Sequence, residues 1–329
     1  MDSDEFAADL VLEGGGVKGV GLVGAVSALH DKGFQLGGPG RVAGTSAGAI
    51  VGALVAAGMP VPDMVKVMRD LDYRQFLDSP PLGVLGRGIS VLARLGMYRG
   101  DQLHRWIADQ LASLGVRTFG QLRLEDPNAD LPPERRYRLV VVVSDVTSGR
   151  MIRLPWDYPR YGLDPDKQSV ADAVRASASI PFFFRPFRLT LPDGKHLAVC
   201  VDGGMLSNFP VHVFDRQDGQ RPRWPTFGVK LSAASPAGDW GTGGAAVRGP
   251  ISLGRALLST MVEAHDRLDL DDPSVCARTI FVETDGINAT DFGLSADQRE
   301  LLYRSGRSRA KEFLATWDFD EYLRRYRCW

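Results

Sequence analysis

A serine flanked by glycines stands at residues 44–48, Gly44-Thr45-Ser46-Ala47-Gly48. The small flanking residues allow a tight strand-to-helix turn that lifts the serine hydroxyl out of the backbone, where it can act as a nucleophile. A helix starting just after it would add partial positive charge beside any developing oxyanion. Thirty residues earlier lies a run of glycines, Gly14-Gly15-Gly16-Val17-Lys18-Gly19. Its spacing also fits a dinucleotide-binding turn. That chemistry needs a carboxylate at the end of the next strand to hold the ribose hydroxyls, and Ala43, Gly44 and Thr45 occupy that place. A phosphate-binding P-loop would need a Lys-Ser/Thr pair after the glycines, which is also missing. What remains is a nest of unobstructed N–H groups suited to an anion, an oxyanion hole if it lies beside Ser46.

The serine also needs a base. The five histidines, His30, His104, His196, His212 and His265, stand in no recognisable motif. Two aspartates follow apolar strands, the place where functional groups of parallel α/β sheets gather. Asp202 ends the run Leu197–Val201 and precedes Gly203-Gly204; Asp145 ends the run Tyr137–Val143 and precedes a polar turn, and ranks second. An Asp before glycines can also simply cap its own turn.

The elements around these residues alternate in type. Leu10–Leu12, the glycine run, and the apolar periodicity of Gly19–His30 read as strand, turn and helix; Arg41–Ala43, GTSAG and Ala47–Ala57 repeat the pattern. Two such units predict a parallel sheet with helices on its faces, an α/β fold. Helices are expected at 62–72, 101–114, 169–179 and from Ser295, with Gln298 completing a capping box, to about Thr316. A hairpin is expected from FRLTL through Pro-Asp-Gly to HLAVCVD, and further strands at Thr226–Leu231 and Thr279–Glu283. The stretch 233–249, rich in small residues, reads as a surface loop.

Composition excludes several classes. The 329 residues are 44% hydrophobic and 24% charged, which excludes disordered and collagenous chains, and 39 Lys+Arg against 40 Asp+Glu give no electrostatic reason to bind nucleic acid. Cys200, Cys276 and Cys328 are widely spaced, arguing against a disulfide framework or a zinc site, so neither metal nor cofactor is expected. The acidic start, MDSDEFAADL, is unlike a Sec signal, and the longest apolar stretch, Ala47–Met59, is short of the roughly 20 residues that span a bilayer. The expectation is a cytoplasmic protein, free to touch a membrane from the side.

Taken together, Glu13 with Gly14–Gly19, the GxSxG of Gly44–Gly48, and DGGMLSNFP with Asp202, Asn208 and Pro210 resemble the patatin-like phospholipase family in its bacterial branch. SDVTSG (Asp145, Thr147, Gly149) and RASASIPFFF (Arg175–Phe184, with Ala176–Phe184 as its small and apolar part) also look like the family, and TDFGLS near Asp291 is a looser match, so the likeness covers about residues 10–315. Glu13 and Lys18 stand where family members often carry Asp and Arg.

The resemblance implies a three-layer αβα fold around a central, mostly parallel sheet, formed by the whole chain (1–329) as one domain with a lid at 78–99 and a helical tail at 317–329. It implies a Ser46–Asp202 dyad, with the N–H groups of Gly14, Gly15 and Gly16 as oxyanion donors and Lys18, Gly19, Gly44, Gly48, Gly203 and Gly204 as supporting positions. The expected activity is cleavage of phospholipid or lysophospholipid esters through an acyl-Ser46 intermediate. An acyltransferase with the same dyad and a catalytically silent acyl-binding protein stay open as alternatives. Lys18 could steer an anionic head group or simply be solvated; the 81–97 and Ile180–Phe184 stretches could line an acyl-chain pocket or belong to a cover and a core.

Overall fold

The computed structural model describes residues 7–78, 95–125, 131–190, 194, 196–216, 218–231, 256, 260, 272–284 and 286–326. The chain opens as read from its periodicity: β1 (Asp9–Leu12), a glycine turn, α1 (Gly19–Asp31), β2 (Val42–Thr45) and α2 (Ala47–Ala56). Then follow α3 (Val61–Asp70), β3 (Gly96–Tyr98), α4 (Asp101–Ser113), β4 (Leu139–Asp145), β5 (Arg150–Leu154), α5 (Val170–Ser177), β6 (Phe182–Phe184), β7 (Phe187–Thr190) and β8 (His196–Asp202). Last come β9 (Thr226–Lys230), the single turn α6 (Pro273–Cys276), β10 (Thr279–Phe281), α7 (Ala296–Thr316) and α8 (Phe319–Tyr326). The expected capping box is present: Ser295 accepts from the Gln298 N–H and the Gln298 side chain accepts from the Ser295 N–H.

Strands β10, β9, β1, β2 and β4 lie side by side and parallel, and β8 and β7 continue the sheet antiparallel. This is a mixed α/β fold with a mostly parallel sheet flanked by helices. β1, β2 and β4 are buried along their whole length, as strands covered on both faces must be. Leu10, Leu12, Val42, Leu139 and Val141 pack in the main core with α1, α2 and α5, while the alternate residues Val11, Ala43 and Val140 meet Phe209, Val211 and Phe214 on the opposite face.

Strand β4 carries three neighbours. β2 pairs with Leu139–Val142, β8 with Val143–Asp145, and β5 with Val141–Asp145. Since β5 overlaps both of the others, it takes one edge of β4, and β2 and β8 share the second. The sequence reading placed only a turn after Asp145; β5 is additional, and its exposed–buried alternation is that of a strand half covered by its partner. A small second sheet, β3 beside β6, was also not foreseen. Of the expected lid, residues 79–94 lie outside the described residues, as do those expected as a loop at 233–249. The segment's two ends are tied: the Asp78 carboxylate accepts from the N–H groups of Gly100, Asp101 and Gln102 at 2.7–3.2 Å. Of the stretch 317–329 expected as a tail, residues 319–326 form α8, with Tyr322 and Leu323 buried, and 327–329 lie outside the described residues.

Candidate active site

Because β2 and β8 run in opposite directions along one edge of β4, their carboxyl ends meet. Thr45 pairs with Val142 and Asp202 with the next residue, Val143. Ser46 leaves β2 at that point with φ 51° and ψ −117°, a conformation that L-residues rarely adopt and that stores roughly 1–3 kcal/mol of strain. The surroundings enforce it. The Ser46 N–H donates to Ser177 Oγ at 2.9 Å, and Ser177 Oγ donates onward to the Val142 carbonyl at 2.6 Å. Gly44 and Gly48 let the turn close: a Cβ on Gly44 would lie 2.3 Å from the Gly48 carbonyl carbon, and one on Gly48 2.1 Å from the Leu12 oxygen.

Asp202 is 8% exposed and interacts with the Ser46 hydroxyl, while its Oδ1 accepts from the Gly204 N–H at 2.9 Å. Burial pushes its carboxyl up to about 6, against the smaller opposing pull of Ser46 and Gly204. The following turn is compact. A Cβ on Gly203 would lie 2.3 Å from the Val142 oxygen, and one on Gly204 3.1 Å from Asp202 Oδ1.

The glycine run lies against the serine: a Cβ on Gly14 would come within 3.3 Å of Ser46 Cβ. One expectation needs correction here. The Gly14 N–H donates to the Asn208 carbonyl at 3.1 Å, which removes it from the expected oxyanion trio. Gly15 and Gly16 are half-exposed, and their N–H groups have no protein acceptor among the described residues. Gly16 has φ +56°, and a Cβ there would meet the Ala289 oxygen at 2.0 Å. Directly after Ser46, α2 begins at Ala47, so the first N–H groups of the helix lie next to the serine in the chain. Lys18, half-buried just before α1, has its ammonium pushed down by burial and partly restored by Glu13; Gly19 packs against Ala47.

An apolar cleft opens at Ser46. Ile50, Met68, Tyr73, Trp106, Phe184 and Phe292 are among its walls, together with Gly16 and Ser46. Ile180 and Phe184 thus belong to the cleft wall, and Phe184 is also buried in the core. Arg175, which the sequence reading quoted within RASASIPFFF without giving it a role, buttresses this wall. It is buried, lies over the Phe184 ring, and donates to the carbonyls of Arg99, Gly100 and Arg185 and to Ser179 Oγ; burial pulls its guanidinium down to about 10.

The other strand-end aspartate is saturated. Burial would raise the Asp145 carboxyl, but the Ser148 and Tyr161 hydroxyls and the N–H groups of Thr147 and Ser148 all donate to it and hold it below the usual range. Of the histidines, His104 pairs with Asp172 and His212 with Asp215, and neither is near Ser46 in the contacts each makes. Sequence reasoning also missed Ser177 and Lys230. The second had a signal, being one of seven lysines in the chain and ending an otherwise apolar strand. Among the described residues no helix is long and apolar enough to cross a membrane.

A serine on a strained turn, a buried carboxylate and a glycine turn thus come together at the carboxyl ends of β2 and β8, beside an apolar cleft in a mostly parallel α/β fold. Residues 10–215 match the Patatin-like phospholipase family. YqhO of Bacillus subtilis is 38% identical over 315 residues, covering 94% of this chain and 99% of that protein. The NTE family protein Mb2594 of Mycobacterium bovis is 32% identical over 204 residues, which is 62% of this chain and 27% of the relative. Among solved structures, VipD from Legionella pneumophila superposes with a TM-score of 0.53 at 18% identity, covering 94% of this chain and 67% of that one. The chain belongs to the patatin-like phospholipase family, a family of lipid hydrolases.

Proposed function

We propose that the protein is a serine lipid acyl hydrolase that cleaves carboxylic esters of phospholipids or lysophospholipids through an acyl-Ser46 intermediate. The observation that carries this reading is the meeting of Ser46 and Asp202 on one edge of β4. Ser46 Oγ passes its proton to the Asp202 carboxylate as it attacks the ester carbonyl. The oxyanion is received by the N–H groups of Gly15 and Gly16 and the start of α2; each such donor contributes about 2.7–4 kcal/mol in comparable sites. Collapse breaks the bond to the alcohol, which takes the proton from Asp202. Asp202 then removes a proton from water as it attacks the acyl-serine and returns that proton to Ser46 Oγ as the acyl bond breaks, which releases the fatty acid and restores both residues.

A carboxyl near 6 suits this work, since a base is most effective when its pKa approaches the working pH while it stays ionised. The apolar walls of the cleft fit an acyl chain rather than a head group. Lys18, adjacent in the chain to the cleft-lining residues Val17 and Gly19, is suited to draw an anionic head group.

The test is p-nitrophenyl ester hydrolysis by the wild type and Ser46→Ala, with intact-mass detection of a fluorophosphonate adduct. Hydrolysis and a single adduct, both lost in Ser46→Ala, are expected. A wild type that neither cleaves nor labels sinks the hydrolase reading in favour of a silent acyl-binding scaffold.

A further inference from the structure

Beneath the glycine turn lies a buried polar cluster that the chemistry above does not use. Glu13 and Lys230, 3% and 1% exposed, form an ion pair, and the second Glu13 oxygen accepts from the Leu231 N–H. Isolated charges this deep are costly, so an ion pair in the core must be closely matched by its neighbours. Asn208 joins it: its main-chain carbonyl accepts the Gly14 N–H at 3.1 Å, while its side-chain Nδ2 donates to Glu13 Oε1 at 3.2 Å and stands 3.4 Å from the Gly14 carbonyl oxygen. The same amide touches the turn after Asp202. A Cβ on Gly204 would lie 2.9 Å from Asn208 Oδ1, and one on Gly14 only 2.3 Å from it. The chain just before is anchored too, the Ser207 carbonyl accepting from Thr45 Oγ1 at 3.1 Å.

Asn208 therefore stands between the two turns that the reaction must hold in register, gripping Gly14 from both its N–H and its C=O and leaning on a fixed anion. Resting on the hydrolase reading, we infer that Asn208, seated on the Glu13–Lys230 pair, is a positioning residue that fixes the Gly15–Gly16 donors relative to Ser46. It touches no reacting atom. Its side chain acts by holding the Gly14 carbonyl and denying the glycine turn a tilt, while its main chain takes the Gly14 N–H. Misplacement of about 1 Å in such a site costs on the order of 10²-fold in rate.

The experiment uses the full chain with p-nitrophenyl butyrate and a fluorophosphonate, and compares wild type with Asn208→Ala. The variant is expected to lose roughly 10- to 100-fold in kcat with KM within about twofold, and to label more slowly by a similar factor. Its acid limb should stay where the wild type has it, because the residue acts on the donors and not on Asp202. Glu13→Gln combined with Lys230→Met, which removes both charges at similar volume, is the variant to read if Asn208→Ala does not fold. It should fold and lose a smaller factor, about three- to tenfold, since Asn208 keeps its hold on Gly14. Wild-type kcat per folded molecule in both variants, with only a lower Tm, would make the cluster purely structural and overturn the inference; a displaced acid limb would move its action to Asp202 and overturn it as stated. A wild type that neither cleaves nor labels removes the hydrolase reading itself, a result readable before any Asn208 variant is made.

Discussion

Asp145 and Asp202 end neighbouring strands of one antiparallel pair, two residues apart in register, and their surroundings are opposite. Asp145 accepts four hydrogen bonds, and its carboxyl is held down in spite of burial. Asp202 keeps one backbone N–H and the Ser46 hydroxyl, and burial wins, lifting it to about 6. The difference teaches that strand-end placement does not make a base. A carboxylate whose lone pairs are filled by fixed donors is a structural knot; one left short of donors in a dry site retains its affinity for a proton.

The sharpest way to break this contrast is to neutralise each in turn. Asp202→Asn should lower ester turnover by at least about 10³-fold, comparable to loss of a member of a catalytic unit that acts together. Asp145→Asn should leave kcat per folded molecule within about threefold while lowering Tm, because an amide cannot accept from all four donors. Reversed outcomes in the same hydrolysis and thermal-melt assays would exchange the roles.

A smaller effect is set by pH. With a base near 6, kcat/KM should fall about tenfold per pH unit below that value and level off above it. A flat profile from pH 5 to 8 would remove Asp202 as the titrating base.

The same carboxyl makes a stability prediction with a definite sign. Between an unfolded value near 3.8 and a folded value of about 6, the folded state holds a proton that the unfolded chain releases. That gain is lost as pH rises through 6, so at pH 8 the ionised Asp202 destabilises the fold by on the order of 2–3 kcal/mol. Asp202→Asn should therefore raise stability in urea melts at pH 8 more than at pH 5. Equal shifts at the two pH values would contradict the raised carboxyl. Smallest is Ser177→Ala, which takes away the acceptor of the Ser46 N–H; about a three- to tenfold loss in kcat is expected, and an unchanged rate would mean the turn is held by its glycines alone.

Much of this was legible in the residues because it depends on local rules. The GTSAG turn, the glycine run and Asp202 before Gly203-Gly204 announce close backbone approach, and β1, α1, β2 and α2 follow from apolar periodicity and its breakers. What could not be read depends on pairing between distant segments. β5 alternates only weakly in type, and β3 and β6 are three residues each, too short for a periodic signal. The engagement of Gly14 by Asn208 joins residues 194 positions apart, and no spacing rule reports which of three adjacent N–H groups a distant carbonyl will occupy. The Glu13–Lys230 pair is similar: Glu13 was read only as part of the glycine motif and Lys230 was given no role, and only the sheet, which places β1 beside β9, brings them together.

The shared edge of β4 also governs how this chain can change length. Insertions in the connections 146–149 or 218–225 leave the β2–β8 abutment alone, because the distance from Ser46 to Asp202 is measured along β4 in units of the ladder repeat. One residue added inside 198–202 slips β8 by a single step and turns the Asp202 side chain to the other face of the sheet. Lineages descended from such a chain are free to remodel their loops but must inherit the count of residues in these two strands intact.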